Sequence, residues 1–276
     1  MNAYFYVAGA KTDVLVNGTG SPFFERVQYF AARGIGDGMQ HAIQRFFRRA
    51  HGKIGIKCEL TSVNIKDGGL VRSVMLFEGK DRRELQQAMK SAGRLPPGQS
   101  LTLKWPILHY GSVPHFDPKT WDFRIYGLVE FPLNLSWEEF NALPKVHRTS
   151  DFHCVTRWSR FDNHWDGVAF QELLRRVKPK SEAAYVLIHA EQGFTANVPL
   201  ADLSREEVLL ATHHDGEPLT PDHGYPLRLI VPHLYAWKSV KWARGLEFLN
   251  RDQAGFWEQN GYHMYGDPWK EQRFSR

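Results

Sequence analysis

Apolar and polar positions alternate in short stretches along this chain more often than they recur at helical spacing. Residues 121–129 alternate and read as a strand. Residues 185–189 and 227–231 are apolar enough for buried strands, and 239–249 alternate into another. Shorter alternating pieces fall at 53–57 and 71–77. Helical spacing appears in between. Residues 166–177 place Phe170, Leu173, Leu174 and Val177 on one face, and 82–91 read as a short charged helix. Asp37 caps a helix predicted to run to residue 50, with Met39, Ile43, Phe46, Phe47 and Ala50 inward. Ser136 with Glu139, and Ser204 with Glu207, have the spacing of capping boxes that open helices. Strands mixed with short helices, without regular alternation, predict an α+β fold with a β-rich core rather than a doubly wound sheet.

The Pro/Gly stretch at 94–99 is a boundary signal, and residues 1–80 differ in pattern from the rest. The chain therefore reads as an N-terminal extension, 1–80, followed by one domain over 81–276. The glycine-rich run 34–38 has no strand before it and only part of a dinucleotide fingerprint, so it reads as a turn.

Composition adds bounds. Of 276 residues 42% are hydrophobic and 24% charged, an ordinary globular balance, and 9 Trp, 10 Tyr and 18 Phe offer flat apolar walls. A net charge of +5 favours anionic partners. No run approaches the roughly 20 apolar residues of a membrane span, and no secretory signal is visible, so a cytoplasmic location is expected. Two cysteines, Cys58 and Cys154, exclude a disulfide framework and multi-cysteine metal sites.

Cys154 lies between His153 and Arg157, whose positive charge would favour a thiolate, the form that acts as nucleophile and soft-metal ligand. Adjacent His213 and His214 would face opposite sides of a strand and could not share a metal. No histidine pair has a helical zinc spacing around a glutamate, and no serine sits in a Gly-x-Ser-x-Gly elbow, so conventional hydrolases are disfavoured. The turn-rich stretch 215–228 gathers Asp222, His223 and Arg228, groups suited to a polar heterocycle and a phosphate. Two tryptophans bracket Lys238 and Lys241.

Taken in order, several segments resemble the sulfite oxidase family of molybdenum enzymes, and within it the small heme-free bacterial branch. They are Leu95-Pro96-Pro97-Gly98-Gln99, His109-Tyr110-Gly111-Ser112-Val113-Pro114, and Asp151-Phe152-His153-Cys154-Val155-Thr156-Arg157-Trp158-Ser159. Gly216-Glu217-Pro218-Leu219, Asp222-His223-Gly224-Tyr225-Pro226, Lys238-Ser239-Val240-Lys241-Trp242 and the tail Gly261-Tyr262-His263-Met264-Tyr265-Gly266-Asp267-Pro268-Trp269 follow. The resemblance implies that family's molybdopterin-binding fold and an oxidoreductase that transfers an oxygen atom at molybdenum held by molybdopterin and one cysteine, here Cys154. It implies pterin and phosphate contacts at His109 or Tyr110, Asp222, His223, Arg228, Ser239 and Lys241, with Arg157 near the cofactor or an oxyanion. It also implies a small-molecule oxygen donor or acceptor and a separate electron-transfer partner.

Animal and plant sulfite oxidases carry an arginine where this chain has Leu108 or its neighbours, and a tyrosine where it has Phe194. Both departures point away from sulfite and toward a larger or neutral substrate such as a sulfoxide. A non-catalytic molybdopterin carrier is one alternative. A basic, aromatic-rich module for polyanions is another, with Arg45, Arg48 and Arg49 on one helix, although no nucleic-acid motif is present and nucleic acid is not the expected partner. The contrast between residues 1–80 and the remainder leads to an expectation that translation begins near Met75. Intact-mass measurement of native protein should then find the shorter chain, and a mass matching all 276 residues would refute it.

Overall fold

The computed structural model describes residues 82–275 in full and, before them, the backbone of four strands and the first residues of a helix. The expected helix over 37–50, strand at 53–57 and turn at 34–38, with Cys58, lie outside the described residues. The chain divides into two units, Met1–Ala88 and Met89–Arg276. In the first, β1 (Asn2–Phe5), β2 (Val14–Asn17), β3 (Arg26–Phe30) and β4 (Arg72–Leu76) form an antiparallel sheet in that order. The last of these answers the alternation at 71–77. Helix α1 (Gly79–Ser91) runs across the division.

The second unit is α+β and rich in strands. Its chain order is β5 (Ser100–Leu101), β6 (Asp122–Gly127), β7 (Leu133–Ser136), α2 (Trp137–Asn141), β8 (Val146–His153), β9 (Trp158–Ala169) and α3 (Phe170–Val177). Then come β10 (Tyr185–Ala190), β11 (Thr195–Pro199), α4 (Leu200–Leu203), β12 (Leu209–His214), β13 (Glu217–Pro218), β14 (Arg228–Ile230), β15 (Ala243–Leu249) and α5 (Phe256–Gln259). Five strands pair as β11-β10-β15-β6-β7, with β15 and β6 parallel. A second sheet runs β13-β12-β9-β5, with β14 added on β12 and β8 on β9. The main core lies over the five-stranded sheet, where Phe123, Ile125, Val186, Ile188, Leu246 and Phe248 pack with Phe170 and Leu173. A smaller cluster around Phe152, Trp165, Leu209 and Ile230 belongs to the other sheet.

Local signals hold where the chemistry is self-contained. Ser136 accepts from the Glu139 amide at 3.2 Å while Glu139 accepts from the Ser136 amide at 2.8 Å, the reciprocal box that starts α2. The matching spacing at Ser204 fails. Its hydroxyl donates back to the Leu200 carbonyl at 2.7 Å and closes α4 instead of opening a helix. The helix expected over 166–177 begins only at Phe170, because Asp166 and Gly167 pair with β12 on one side and β8 on the other, and Val168 pairs with β12. Ladder bonds on two sides outweigh the helical spacing there. Leu174 is half-buried against the core, as the periodicity expects. The strand expected over 239–249 starts at Ala243, and 227–231 shortens to β14.

The C-terminal segment is tied down by a buried ion pair. Lys238 Nζ lies 2.6 Å from Glu258 Oε1, both side chains fully buried, and also donates to Asn197 Oδ1 at 2.7 Å and to the Met264 carbonyl at 2.7 Å. Trp237 Nε1 donates to the same carboxylate at 2.7 Å. Glu258→Ala would leave the ammonium without its counter-charge, so urea denaturation should show a loss of about 3 kcal/mol. The double variant Lys238→Met with Glu258→Leu should regain much of it, and equal losses in both variants would show that the pair is not what holds this segment.

Candidate active site

Strands β8 and β9 are joined by a tight turn. The Cys154 amide donates to the Trp158 carbonyl at 2.8 Å, the Arg157 amide donates to the Cys154 carbonyl at 3.0 Å, and Arg157 takes a positive φ of 72°. Gln99 Nε2 donates to the Cys154 carbonyl at 2.9 Å, which fixes the turn from the 95–99 segment. His153 bridges to Tyr235, bringing 236–242 alongside. The thiol therefore sits at a sheet end where stretches 105–110, 152–158, 191–194, 228–242 and 256–262 converge. They enclose a cavity of about 330 Å³.

Cys154, His109, Tyr110, Arg228, Ser239 and Lys241 all face this cavity. Arg157, Asp222 and His223 do not line it. Arg157 is exposed. Asp222 reaches only toward His109, 3.9 Å away, and lends its carbonyl to Lys241. His223 stands behind the wall, its ring stacked on Trp105 at 3.9 Å between centroids.

The charge environment of Cys154 also differs from the one its neighbours in sequence suggest. His153 is buried, bonded through Nδ1 to Ser159, and pushed by burial down to about 4, so at neutral pH it is uncharged. The cations that favour the Cys154 thiolate are Arg228 and Lys241, from distant parts of the chain. Burial pushes the thiol up, while the Thr156 hydroxyl at 3.1 Å and these two cations oppose it. A turn places adjacent side chains on different sides, so adjacency in sequence gave the wrong partners.

Arg228 is the most constrained group. It is 4% exposed, its Nη1 donates to the His223 carbonyl at 3.1 Å, and its Nε is buried with no hydrogen-bond partner. No carboxylate among the described residues lies within ion-pair distance. Burial pushes it down to about 9. The guanidinium rests over Phe152 at 5.0 Å and Trp105 at 5.4 Å. Lys241 donates to the carbonyls of Leu108 at 2.8 Å and Asp222 at 2.6 Å, and burial and Arg228 bring it down to about 7. Gly224 makes room for it: with φ +111° and the Lys241 Cβ 3.1 Å from where a Cβ would sit, a side chain there would be crowded and strained. Ser239 accepts from the Val231 amide at 2.9 Å.

Composition and local motifs missed several walls. Trp105 is held between His223 and His214, with centroids 3.9 and 4.0 Å away, and presents a ring to the cavity. Trp242 and Tyr262 also line it, and both occur in segments that carry the family resemblance. Leu108 and Phe194, the two departures from the sulfite oxidase pattern, are in the wall as well. Among the described residues no group of three or more His, Cys, Asp or Glu gathers around a common metal position, and no helix is long and apolar enough to cross a membrane.

A buried cation without an internal counter-charge, beside a second cation, a thiol and a flat aromatic wall, fits an anionic group that carries a planar ring system and accepts a sulfur ligand. Comparison with known proteins agrees. The family described as oxidoreductase molybdopterin binding domain matches residues 110–257. An uncharacterized oxidoreductase of Bacillus subtilis (strain 168), YuiH, is 49% identical over 201 residues, covering 72% of this chain and 99% of its own. A putative protein-methionine-sulfoxide reductase subunit of Azospira oryzae, YedZ1, is 26% identical, covering 88% of this chain and 94% of its own. The sulfite oxidase of Arabidopsis thaliana is 27% identical over 193 residues, covering 57% of this chain and 49% of its own.

The histidines behind the wall carry a pH signature. Burial and nearby cations push His214 down to about 2, and burial brings His223 down to about 4. An unfolded imidazole takes its proton near 6.5, so through the window below that value the unfolded chain binds more protons and stability falls with pH. The urea midpoint should be flat above about pH 7 and drop from about 6.5 toward 4, each histidine contributing at most about 1.4 kcal/mol per pH unit. His214→Gln should shallow that slope; an unchanged slope would show that His214 stays protonated in the fold.

Proposed function

The chain belongs to the molybdopterin-binding oxidoreductases of the sulfite oxidase family, and from that footing we propose that it performs oxygen-atom transfer at a molybdenum held by the Cys154 thiolate. The observation that carries the reading is the uncompensated Arg228 guanidinium facing the same cavity as that thiol. When bound, the molybdenum cofactor supplies the two-electron oxygen-atom chemistry.

The chain's residues supply binding and orientation. Arg228 and Lys241 would neutralise the cofactor's phosphate, with Ser239 and His109 completing the polar wall. Trp105, wedged between two uncharged imidazoles, would pack against the pterin ring system. Cys154, 7% exposed in the cavity wall, would give up its proton to become a ligand, a change that the Thr156 hydroxyl, Arg228 and Lys241 favour. Arg157, exposed outside the cavity, is left a role in shaping the turn.

The remainder of the wall selects the substrate. Leu108, Phe194, Phe256 and Trp257 are apolar. With both cavity cations engaged by the cofactor, a doubly charged sulfite would meet a surface with no positive charge left to neutralise it. An uncharged sulfoxide suits it better, and one relative named above is itself described as a methionine-sulfoxide reductase subunit. Reducing a sulfoxide to a sulfide consumes two electrons and two protons and releases water. The electrons would come from a separate redox protein, in keeping with that relative's description as a subunit. Family membership makes the chain an enzyme, which displaces the polyanion-module reading.

Metal analysis of purified protein should find about one molybdenum per chain, and Cys154→Ser should lose the metal or its thiolate-to-metal absorbance. A Cys154→Ser protein that keeps both would refute the assignment. A panel of sulfoxides, sulfite and N-oxides should show turnover with the sulfoxides and little with sulfite.

A further inference from the structure

The cavity is lined by four side-chain hydroxyls, those of Tyr110, Thr156, Ser239 and Tyr262. Three are otherwise engaged or displaced. Thr156 is bonded to Cys154 Sγ at 3.1 Å. Ser239 accepts from the Val231 amide at 2.9 Å. Tyr110 is 63% exposed, stacked at the rim on Phe256 with centroids 4.7 Å apart. The polar groups on Gln192 and Glu191 are likewise taken, by Ser112 and by Arg244. The Tyr262 hydroxyl makes no hydrogen bond to any described residue, whereas the nearby Tyr265 hydroxyl donates to Asp202 at 3.0 Å.

The Tyr262 ring is held firmly. Trp257 stacks on it at 4.9 Å and 22°, while Trp237 at 5.0 Å and Phe274 at 5.4 Å meet it edge to face. Its amide donates to the Trp257 carbonyl at 2.9 Å. Two residues on, the Met264 carbonyl is fixed by buried Lys238. A phenol clamped by three aromatic rings has little rotational freedom to lose when it meets a ligand. Burial, and after it the Cys154 thiolate, raise its pKa, which keeps the phenol a donor at neutral pH.

The geometry points to Tyr262 as the hydroxyl that donates a hydrogen bond to the oxygen of the bound sulfoxide, a contact Phe194 cannot make. This inference rests on the oxygen-atom-transfer reading above. It assigns substrate positioning to the C-terminal tail rather than to the 192–197 stretch.

The test compares binding of methyl phenyl sulfone, which carries the same acceptor oxygen but is not a substrate for reduction to the sulfide in one step, with ethylbenzene, which has a similar shape and no acceptor. Both are titrated into the molybdenum-loaded holoenzyme by tryptophan fluorescence. Tyr262→Phe keeps the three ring contacts and should weaken the sulfone about fivefold while leaving ethylbenzene, molybdenum content and melting temperature unchanged. An unchanged sulfone affinity, or an equal loss for both ligands, overturns the proposal. Absence of molybdenum from the parent protein would instead overturn the reading on which it rests. Phe194→Tyr in the Tyr262→Phe background is the second check: regained sulfone affinity supports a hydroxyl contact, and no regain together with unchanged affinity in the single variant overturns it.

Discussion

A positive charge inside a protein must be neutralised or left at a cost of several kcal/mol, and Arg228 meets that demand from no carboxylate of its own fold. Much of the site can be read as a response to this constraint. Aromatic faces of Phe152 and Trp105 lie beneath the guanidinium, the His223 carbonyl takes one of its donors, and the imidazoles of His214 and His223 are held uncharged so that they add no further repulsion. The remaining demand faces the cavity. In the function proposed above an anionic cofactor phosphate would meet it, while the same cation favours the thiolate of Cys154.

A second buried charge is handled in the opposite way. Lys238 is neutralised internally by Glu258, with Asn197 and Met264 accepting its other hydrogen bonds and Trp237 donating to the same carboxylate. That network fixes α5 and the tail after it, and so fixes Phe256, Trp257 and Tyr262 in the cavity wall. One buried cation is completed by the protein and serves architecture. The other is left open toward the cavity.

Elements whose signals are local were legible in the sequence. The Ser136 box, the buried run at 185–189 and the inward face of Phe170, Leu173 and Val177 are decided within a few residues, by bonds or burial that their own spacing creates. Signals that compete with pairing across the sheet were not. Asp166 and Gly167 fall in a stretch of helical spacing but gain two ladders as strand, and Ser204 has a capping spacing but finds a closer acceptor in Leu200.

The chain by itself determined the α+β class, the chemistry available at Cys154 and the family, because the residue types and their order carry these without reference to geometry. Only the tertiary structure decided which charges act on that thiol. It replaced His153 and Arg157 with Arg228 and Lys241, set His223 and Asp222 outside the cavity wall, and brought Trp105 and Tyr262 into it. The physical reason is that a side chain's neighbours along the backbone are spread to different sides of a strand or turn, whereas electrostatics and packing act through space, between residues that folding brings together from distant parts of the chain.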